Sequence, residues 1–371
     1  MDGMIFDAET QWPEADSLVY DDAVKARVDH LYERVKDVIT PMEWPKFAPV
    51  IDGVLRLKKA RGATILAHNY MTPEIFNCVG DITGDSLKLA QVAAEAEEDI
   101  IVQAGVHFMA ETAKILSPNK TVLIPDMKAG CSLAASITGE DVQRIKAAYP
   151  DLPIVTYVNT SADVKAYSDI CCTSSNAVQV VEAVAAEWGV DTVIMIPDEY
   201  LAKNVAAQTG IKILTWKGSC EVHEQFTPDD IEDLRAAHPD AVILTHPECP
   251  PEVMAKADFA GSTGAMAGYV KDNSPKKAIL ITECSMSDNV SVENPGVQFV
   301  KPCNLCPHMK RITLTGIYDA LRLMQHEVTV DPVIAEKARA SLQAMLDLPK
   351  ADTPPHFDTG RDAVSVPYVA V

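Results

Sequence analysis

Nine cysteines are spread along a chain of 371 residues, and three of them, Cys131, Cys220 and Cys306, recur at intervals of 89 and 86 residues. Two further sets of chemically capable side chains keep that interval. His68 with Tyr70, Tyr157 with Asn159, and His246 with Glu248 stand 89 residues apart, each pair spaced by two. Ser86, Ser174 and Thr263 follow at steps of 88 and 89, each five residues after an aspartate (Asp81, Asp169, Asp258). At the end of a strand, residues two apart face one side, so each pair can present both groups to a common ligand. Hydroxyls and free N–H groups at a helix start suit carboxylate or phosphate, because both complement the helix dipole. A single Ser or Thr there is most often a plain N-cap. Recurrence three times beside the His and Tyr pairs favours an anion site.

If three equivalent units pack around a pseudo-threefold axis, one cysteine from each converges on it. Structural zinc wants four tetrahedral ligands, and catalytic zinc is held more often through histidine. Three symmetric thiolates fit a 4Fe-4S cluster better, with one iron left free of protein ligands to act as a Lewis acid. The other cysteines have plainer readings. A free cysteine is more often a small buried hydrophobe than a ligand, and Cys78, Cys171, Cys172 and Cys284 are read that way. Cys303 and Cys306 form a Cys-x-x-Cys that could be a redox pair or half a zinc site, but no second such motif completes the zinc site. Cys249 in HPEC lies outside the cysteine layer. His30, His238 and His326 read as structural or solvated, and His107 stays undecided. His68 and His246 end buried strands, and His223 follows Cys220 by three.

The elements that must position these groups are legible as short apolar runs: ATILAH, KTVLIP, LPIVTY, DTVIMIP, IKILTW, DAVILTH and KKAILIT, alternating with helical stretches. That alternation marks parallel α/β architecture. Cys131–Tyr157 aligns with Cys220–His246 without a gap, and 9 of the 27 positions are identical, among them Thr138/Thr227, Asp141/Asp230 and Pro150/Pro239. So close a match points to a triplicated unit. Both aligned segments carry a Thr-x-x-Asp helix start close to a capping box. The expected fold is α/β: three similar α/β/α units with short parallel sheets, arranged in a triangle. The expected divisions are an N-terminal helical segment over 1–62 with Val24, Val28, Leu31 and Val35 at helical spacing, units over 63–145, 146–235 and 236–308, C-terminal helices over 309–347, and a flexible tail over 348–371 rich in proline.

Bulk properties exclude several classes of function. Lys and Arg number 32 against 53 Asp and Glu, and the net charge of −21 repels a phosphate backbone or an anionic membrane, so neither nucleic acid nor membrane is expected as a partner. No basic segment followed by an apolar run opens the chain, and no apolar stretch approaches the ~20 residues of a membrane span. The expected location is the cytoplasm, where cysteines serve metal or redox chemistry rather than a disulfide scaffold.

The motifs ILAHNY, GDITGDSL, GCSLA, YVNT, CCTSSNAV, GSCEVHE, HPEC, GSTGAM and CPHMK, spread from Ile65 to about Ala320, resemble those of the quinolinate synthase family, the A protein of bacterial NAD biosynthesis. The resemblance implies a transferase that joins iminoaspartate to dihydroxyacetone phosphate, losing phosphate and two waters. It also implies a triangle of three α/β domains with the 4Fe-4S cluster at its centre, and transient contact with L-aspartate oxidase. By similarity, Cys131, Cys220 and Cys306 ligate the cluster, while His68, Tyr70, Ser86, Tyr157, Asn159, Ser174, His223, His246, Glu248 and Thr263 line the substrate cavity. Within that set Glu248 is expected as general base, Tyr70 with His68 or His246 as proton relay, and Ser86, Ser174 and Thr263 as anchors. The chain departs from the family pattern at Val300, where some members have a third cysteine, and at Met71, where many have Gln. Cys303 with Cys306 remains available as a redox switch. Another cluster-dependent hydro-lyase, or an iron or redox sensor, stays open as an alternative.

Overall fold

The computed structural model describes residues 12–349 and 355–371. Three parallel sheets carry the fold. The first comprises β1 (Ala63–His68), β2 (Ile82–Gly84), β3 (Ile100–Ala104) and β4 (Thr121–Leu123) in the order β2-β1-β3-β4. The second repeats that topology with β5 (Ile154–Tyr157), β6 (Ile170–Cys172), β7 (Thr192–Ile196) and β8 (Lys212–Thr215). The third repeats it again with β9 (Val242–Thr245), β10 (Phe259–Gly261), β11 (Lys277–Ile281) and β12 (Gln298–Val300). All seven apolar runs are strands, and they are continuous rather than alternating because helices cover parallel sheets on both faces. All six residues of β1, for example, are buried. The strands not anticipated, β2, β6, β10 and β12, are three residues long and carry almost no pattern; β3 holds a readable run, IIVQA.

The repeat has a structural strap in each unit. Asp81, Asp169 and Asp258 accept the backbone N–H groups of Ile65, Ile154 and Ile243 at 2.8, 2.9 and 2.9 Å, tying the turn before the second strand to the start of the first. Each also pairs with a basic residue on the preceding helix: Lys58 at 2.6 Å, Lys146 at 2.6 Å and Arg235 at 3.1 Å. These aspartates therefore brace the sheets, and the hydroxyls five residues later lie across the second strand from them. From the first strand the chain goes to one side and then crosses to the other. The carboxyl ends of β1, β5 and β9 thus sit where strand order reverses, the usual ligand crevice of open α/β sheets.

After each fourth strand comes a cysteine turn and then, seven residues past the cysteine, a threonine-capped helix. Thr138 caps Gly139–Ala148 and Thr227 caps Pro228–Ala237, both in complete capping boxes. Thr313 caps Leu314–Leu323 by accepting the Gly316 N–H, extending the repeat to its third copy. Each such cap contributes about 1 kcal/mol. The N-terminal helix Asp22–Val35 buries Val24, Val28, Leu31 and Val35, as the spacing requires. The next helix, Trp44–Arg61, packs on Leu314–Leu323; a Cβ on Gly53 would lie 2.6 Å from the Tyr318 ring, so only glycine allows that approach. The helix Pro332–Leu346 packs across Ala162–Tyr167, with the Ser341 hydroxyl donating to the Lys165 carbonyl at 2.9 Å.

The tail differs from expectation. Residues 350–354 lie outside the described residues, but from 355 onward the chain is tied down rather than loose. Strand β13 (His356–Phe357) pairs antiparallel with β10, the Thr215 N–H donates to the Pro367 carbonyl, and the Val369 N–H donates to the Thr215 carbonyl, both at 2.9 Å. Both β10 and β8 are sheet edges with unused N–H and C=O groups, and an extended segment can cover them without any periodicity of its own. Among the described residues, no helix is long and apolar enough to cross a membrane.

Candidate active site

A cavity of about 710 Å³, its mouth included, opens where the three units meet, and its lining draws on all of them. His68 and Tyr70 enter from beyond β1, Tyr157 and Asn159 from beyond β5, and His246 and Glu248 from beyond β9. Ser86 and Thr263 are the first residues of the helices Ser86–Glu95 and Thr263–Asn273, and Ser174 lies in the turn before Ala177–Trp188. Cys131, Cys220 and Cys306 line the same cavity with His223.

Glu248 is 3% exposed and surrounded by donors. Tyr157 donates its hydroxyl to one carboxylate oxygen at 2.5 Å, with the Asn159 amide at 3.4 Å, and the other oxygen is 2.7 Å from His223 Nδ1. Burial alone would raise this carboxyl, but the neighbouring His246 and His223 and the bonds from His223 and Tyr157 outweigh it and hold the group ionised. A neutral His223 ring with its proton on Nδ1, towards the Glu248 carboxylate, presents Nε2 as an acceptor. Thr282 Oγ1 lies 2.9 Å from that Nε2 and 2.5 Å from the Tyr70 hydroxyl. In that tautomer the donors run from Tyr70 to Thr282 to His223 to Glu248. Burial first, then the Glu248 charge, pushes the Tyr70 phenol well above its ordinary range, so it holds its proton at neutral pH.

His68 and His246 are set by a shared device. The backbone N–H two residues on donates to Nδ1, from Tyr70 at 3.2 Å and from Glu248 at 3.3 Å, so each ring carries its proton on Nε2. Burial lowers His68 to about 4 and His246 to about 3, which keeps both neutral. His246 Nε2 reaches Ser174 Oγ at 3.3 Å. Asn69 donates to the Thr263 hydroxyl at 2.8 Å, leaving that hydroxyl's hydrogen free to turn inward. Among the described residues, Asn159 Oδ1 is buried with no partner.

The three cysteine turns share one geometry. The N–H groups of the second and third residues after each cysteine favour its thiolate: Leu133 and Ala134, Val222 and His223, His308 and Met309, the last donating to Cys306 Sγ at 3.5 Å. Burial pushes the Cys131 thiol up to about 12 and also raises Cys220 and Cys306, while these donors pull the other way. Cys220, His223 and Glu248 also form a group whose ligand atoms lie within 4.8 Å of one another and could hold a metal ion. The remaining free cysteines, Cys78, Cys171, Cys172 and Cys249, are all buried.

The family model described as Quinolinate synthetase A protein matches residues 52–347. The chain belongs to the quinolinate synthase family. A quinolinate synthase of Caulobacter vibrioides is 60% identical over 340 residues, 92% of this chain and 93% of the relative. Quinolinate synthase 1 of Mesorhizobium japonicum is 63% identical over 316 residues (85% and 96%), and a quinolinate synthase of Agrobacterium fabrum is 61% identical over 318 residues (86% and 91%).

In this quinolinate synthase family member every residue expected at the site lines the one cavity, but their mutual contacts differ from expectation. The partners of the Tyr70 hydroxyl are Thr282 and, at 3.5 Å, His223; the His68 ring meets the Tyr70 side chain edge to face, with centroids 4.7 Å apart, and does not reach its hydroxyl. Thr282 was missed because it follows β11, outside the three repeating layers. Asp85 was also missed: it lines the cavity, caps the helix Ser86–Glu95 and accepts the hydroxyls of Ser175 at 2.9 Å and Ser262 at 3.4 Å. Its position directly before Ser86 in GDSL was a usable signal. One cysteine reading is corrected. Cys284 is not a free buried hydrophobe and Cys303 is not free to pair with Cys306, because Cys284 and Cys303 form a disulfide with Cα atoms 4.9 Å apart. The Cys-x-x-Cys spacing suggested the nearer partner; the parallel bridge between Glu283 and Asn304 brings the more distant one alongside.

Proposed function

We propose that the chain condenses iminoaspartate with dihydroxyacetone phosphate to quinolinate, releasing phosphate and two waters, in cytoplasmic NAD biosynthesis. The observation that carries this reading is the convergence of three cysteine turns, the neutral histidines and the Tyr70–Thr282–His223–Glu248 chain on one cavity, in a chain of this family. The same reading arranges the three units in a triangle about a pseudo-threefold axis, with one cysteine from each facing the centre. Direct hand-over of the hydrolysis-prone imine from L-aspartate oxidase belongs to it as well.

The donor set fits a 4Fe-4S cluster held by Cys131, Cys220 and Cys306. Each sulfur lies by two N–H groups that favour thiolate, whereas burial without a cation disfavours it. A single ion on Cys220, His223 and Glu248 fits less well, since it would have to break the 2.7 Å contact between His223 and Glu248. When bound, a cluster held by three thiolates supplies a Lewis-acidic iron that eases loss of hydroxyl groups from substrate.

The protein's own residues bind the anions and move the protons. His68 and His246 present neutral Nε2–H donors, and Ser86, Ser174 and Thr263 present hydroxyls, to the carboxylates and phosphate. The free Asn159 Oδ1 accepts an N–H or hydroxyl of substrate. With its hydrogen turned to Thr282, Tyr70 shows lone pairs to the cavity and takes a proton from carbon as it passes its own along the chain. His223 is then the base at the end of the relay, and Glu248 orients it and stabilises the imidazolium that forms, without touching substrate carbon. The test is anaerobic purification with iron and sulfide analysis, followed by assay of quinolinate from the two substrates. Iron-loaded protein that forms no quinolinate overturns the reading.

A further inference from the structure

Four residues after Cys306, Lys310 reaches away from the cysteine turn into the joint between the first and third units. Its ammonium donates to the Tyr70 carbonyl at 2.9 Å and the Ser285 hydroxyl at 2.6 Å, and forms an ion pair with Glu283 Oε1 at 2.8 Å. Glu283 is fully buried, its carboxylate accepts the Ser285 N–H at 2.9 Å, and the nearby Cys306 N–H favours its charged form. Directly beside Glu283 in the chain is Thr282, whose hydroxyl meets that of Tyr70. The carbonyls on either side of Tyr70 are held too: Asn289 donates to Asn69 at 3.0 Å and to Met71 at 2.7 Å. Three consecutive carbonyls are thus fixed by two side chains from outside the first unit.

We propose that Lys310 is a positioning residue that ties the placement of Tyr70 to the turn bearing Cys306, through its ion pair with Glu283. An ordered Cys306 turn then brings the Tyr70 hydroxyl onto Thr282, and a disordered turn lets it drift. Alignment of the relay and readiness of the cysteine turn become one event, as expected when an ion pair with one partner fully buried fixes a register rather than adding stability. The role assigned to Tyr70 rests on the functional reading above; the mechanical coupling does not.

The experiment compares wild type, Lys310→Met and the double variant K310M/E283Q, the last removing the buried carboxylate left unpaired in the single variant. Amide hydrogen exchange of the segment 68–72 is followed in iron-loaded and chelator-stripped protein, with iron content measured on each sample. In wild type, stripping speeds exchange of this segment by about tenfold or more, because a local opening becomes cheaper. In both variants the segment exchanges at the fast rate even when iron-loaded. Their kcat falls by about 10- to 100-fold with KM little changed, as for a misplaced catalytic group. If the single variant holds no iron, the double variant decides. Wild-type exchange and wild-type kcat in an iron-loaded variant overturn the proposal. Wild-type protein that makes no quinolinate overturns the functional reading instead, and leaves the exchange comparison intact.

Discussion

Thr282 gives the sharpest test of the proton relay. Thr282→Val keeps the side chain's shape and removes only the hydroxyl that bridges Tyr70 and His223 at 2.5 and 2.9 Å. What remains is the direct Tyr70–His223 contact of 3.5 Å, too long for a sound hydrogen bond. General acid–base catalysis contributes about 10²- to 10⁴-fold, and because the two rings can relax towards each other the lower end applies, a loss of about 100-fold in kcat. Substrate anchoring does not pass through Thr282, so KM should stay within about threefold. Leaving the Tyr70 hydroxyl and His223 Nε2 without their partner also costs about 1–3 kcal/mol of stability, visible as a lower urea midpoint. Thr282→Ser, which keeps the hydroxyl, should recover turnover to within about tenfold of wild type. The assay is steady-state quinolinate formation on anaerobic protein with matched iron content. A fully loaded Thr282→Val enzyme turning over within about threefold of wild type would refute the relay.

Three further outcomes follow from the site. Cys131→Ala, Cys220→Ala and Cys306→Ala should each lose iron, sulfide and turnover, whereas Cys78→Ala and Cys171→Ala, whose sulfurs are buried away from the cavity, should keep all three; iron and sulfide analysis decides. His68 and His246 are held near 4 and 3, so below their unfolded value of about 6.5 the unfolded chain takes up protons that the folded chain refuses. Stability is therefore full above that pH and falls on acidification, by up to about 2.7 kcal/mol per pH unit for the two groups until the folded rings protonate. Urea titrations of the metal-stripped chain at several pH values measure this, and a His68→Gln, His246→Gln double variant should flatten the dependence. Peptide mapping of air-oxidised protein should find Cys284 joined to Cys303, not Cys303 to Cys306.

The longer strands and the three recurring layers of side chains are legible in the amino-acid sequence alone. A triplicated unit writes its equivalent residues at a fixed interval, so Cys131, Cys220 and Cys306, or His68, Tyr157 and His246, can be chosen from many others without coordinates. Continuous apolar runs likewise announced the longer strands. What the tertiary structure decided is which of these groups touch. Thr282 bridges to Tyr70 across 212 positions of chain, Lys310 reaches Tyr70 across 240, and Asp85 gathers hydroxyls from 90 and 177 residues away. Such contacts lie between units, where no local period records them. The disulfide between Cys284 and Cys303 and the pairing of the tail with two open sheet edges belong to the same class. The environment of Glu248 is also tertiary: Tyr157, Asn159, His223 and His246 surround its carboxylate from the second unit and from its own, and that arrangement exists only once the units have closed on one cavity.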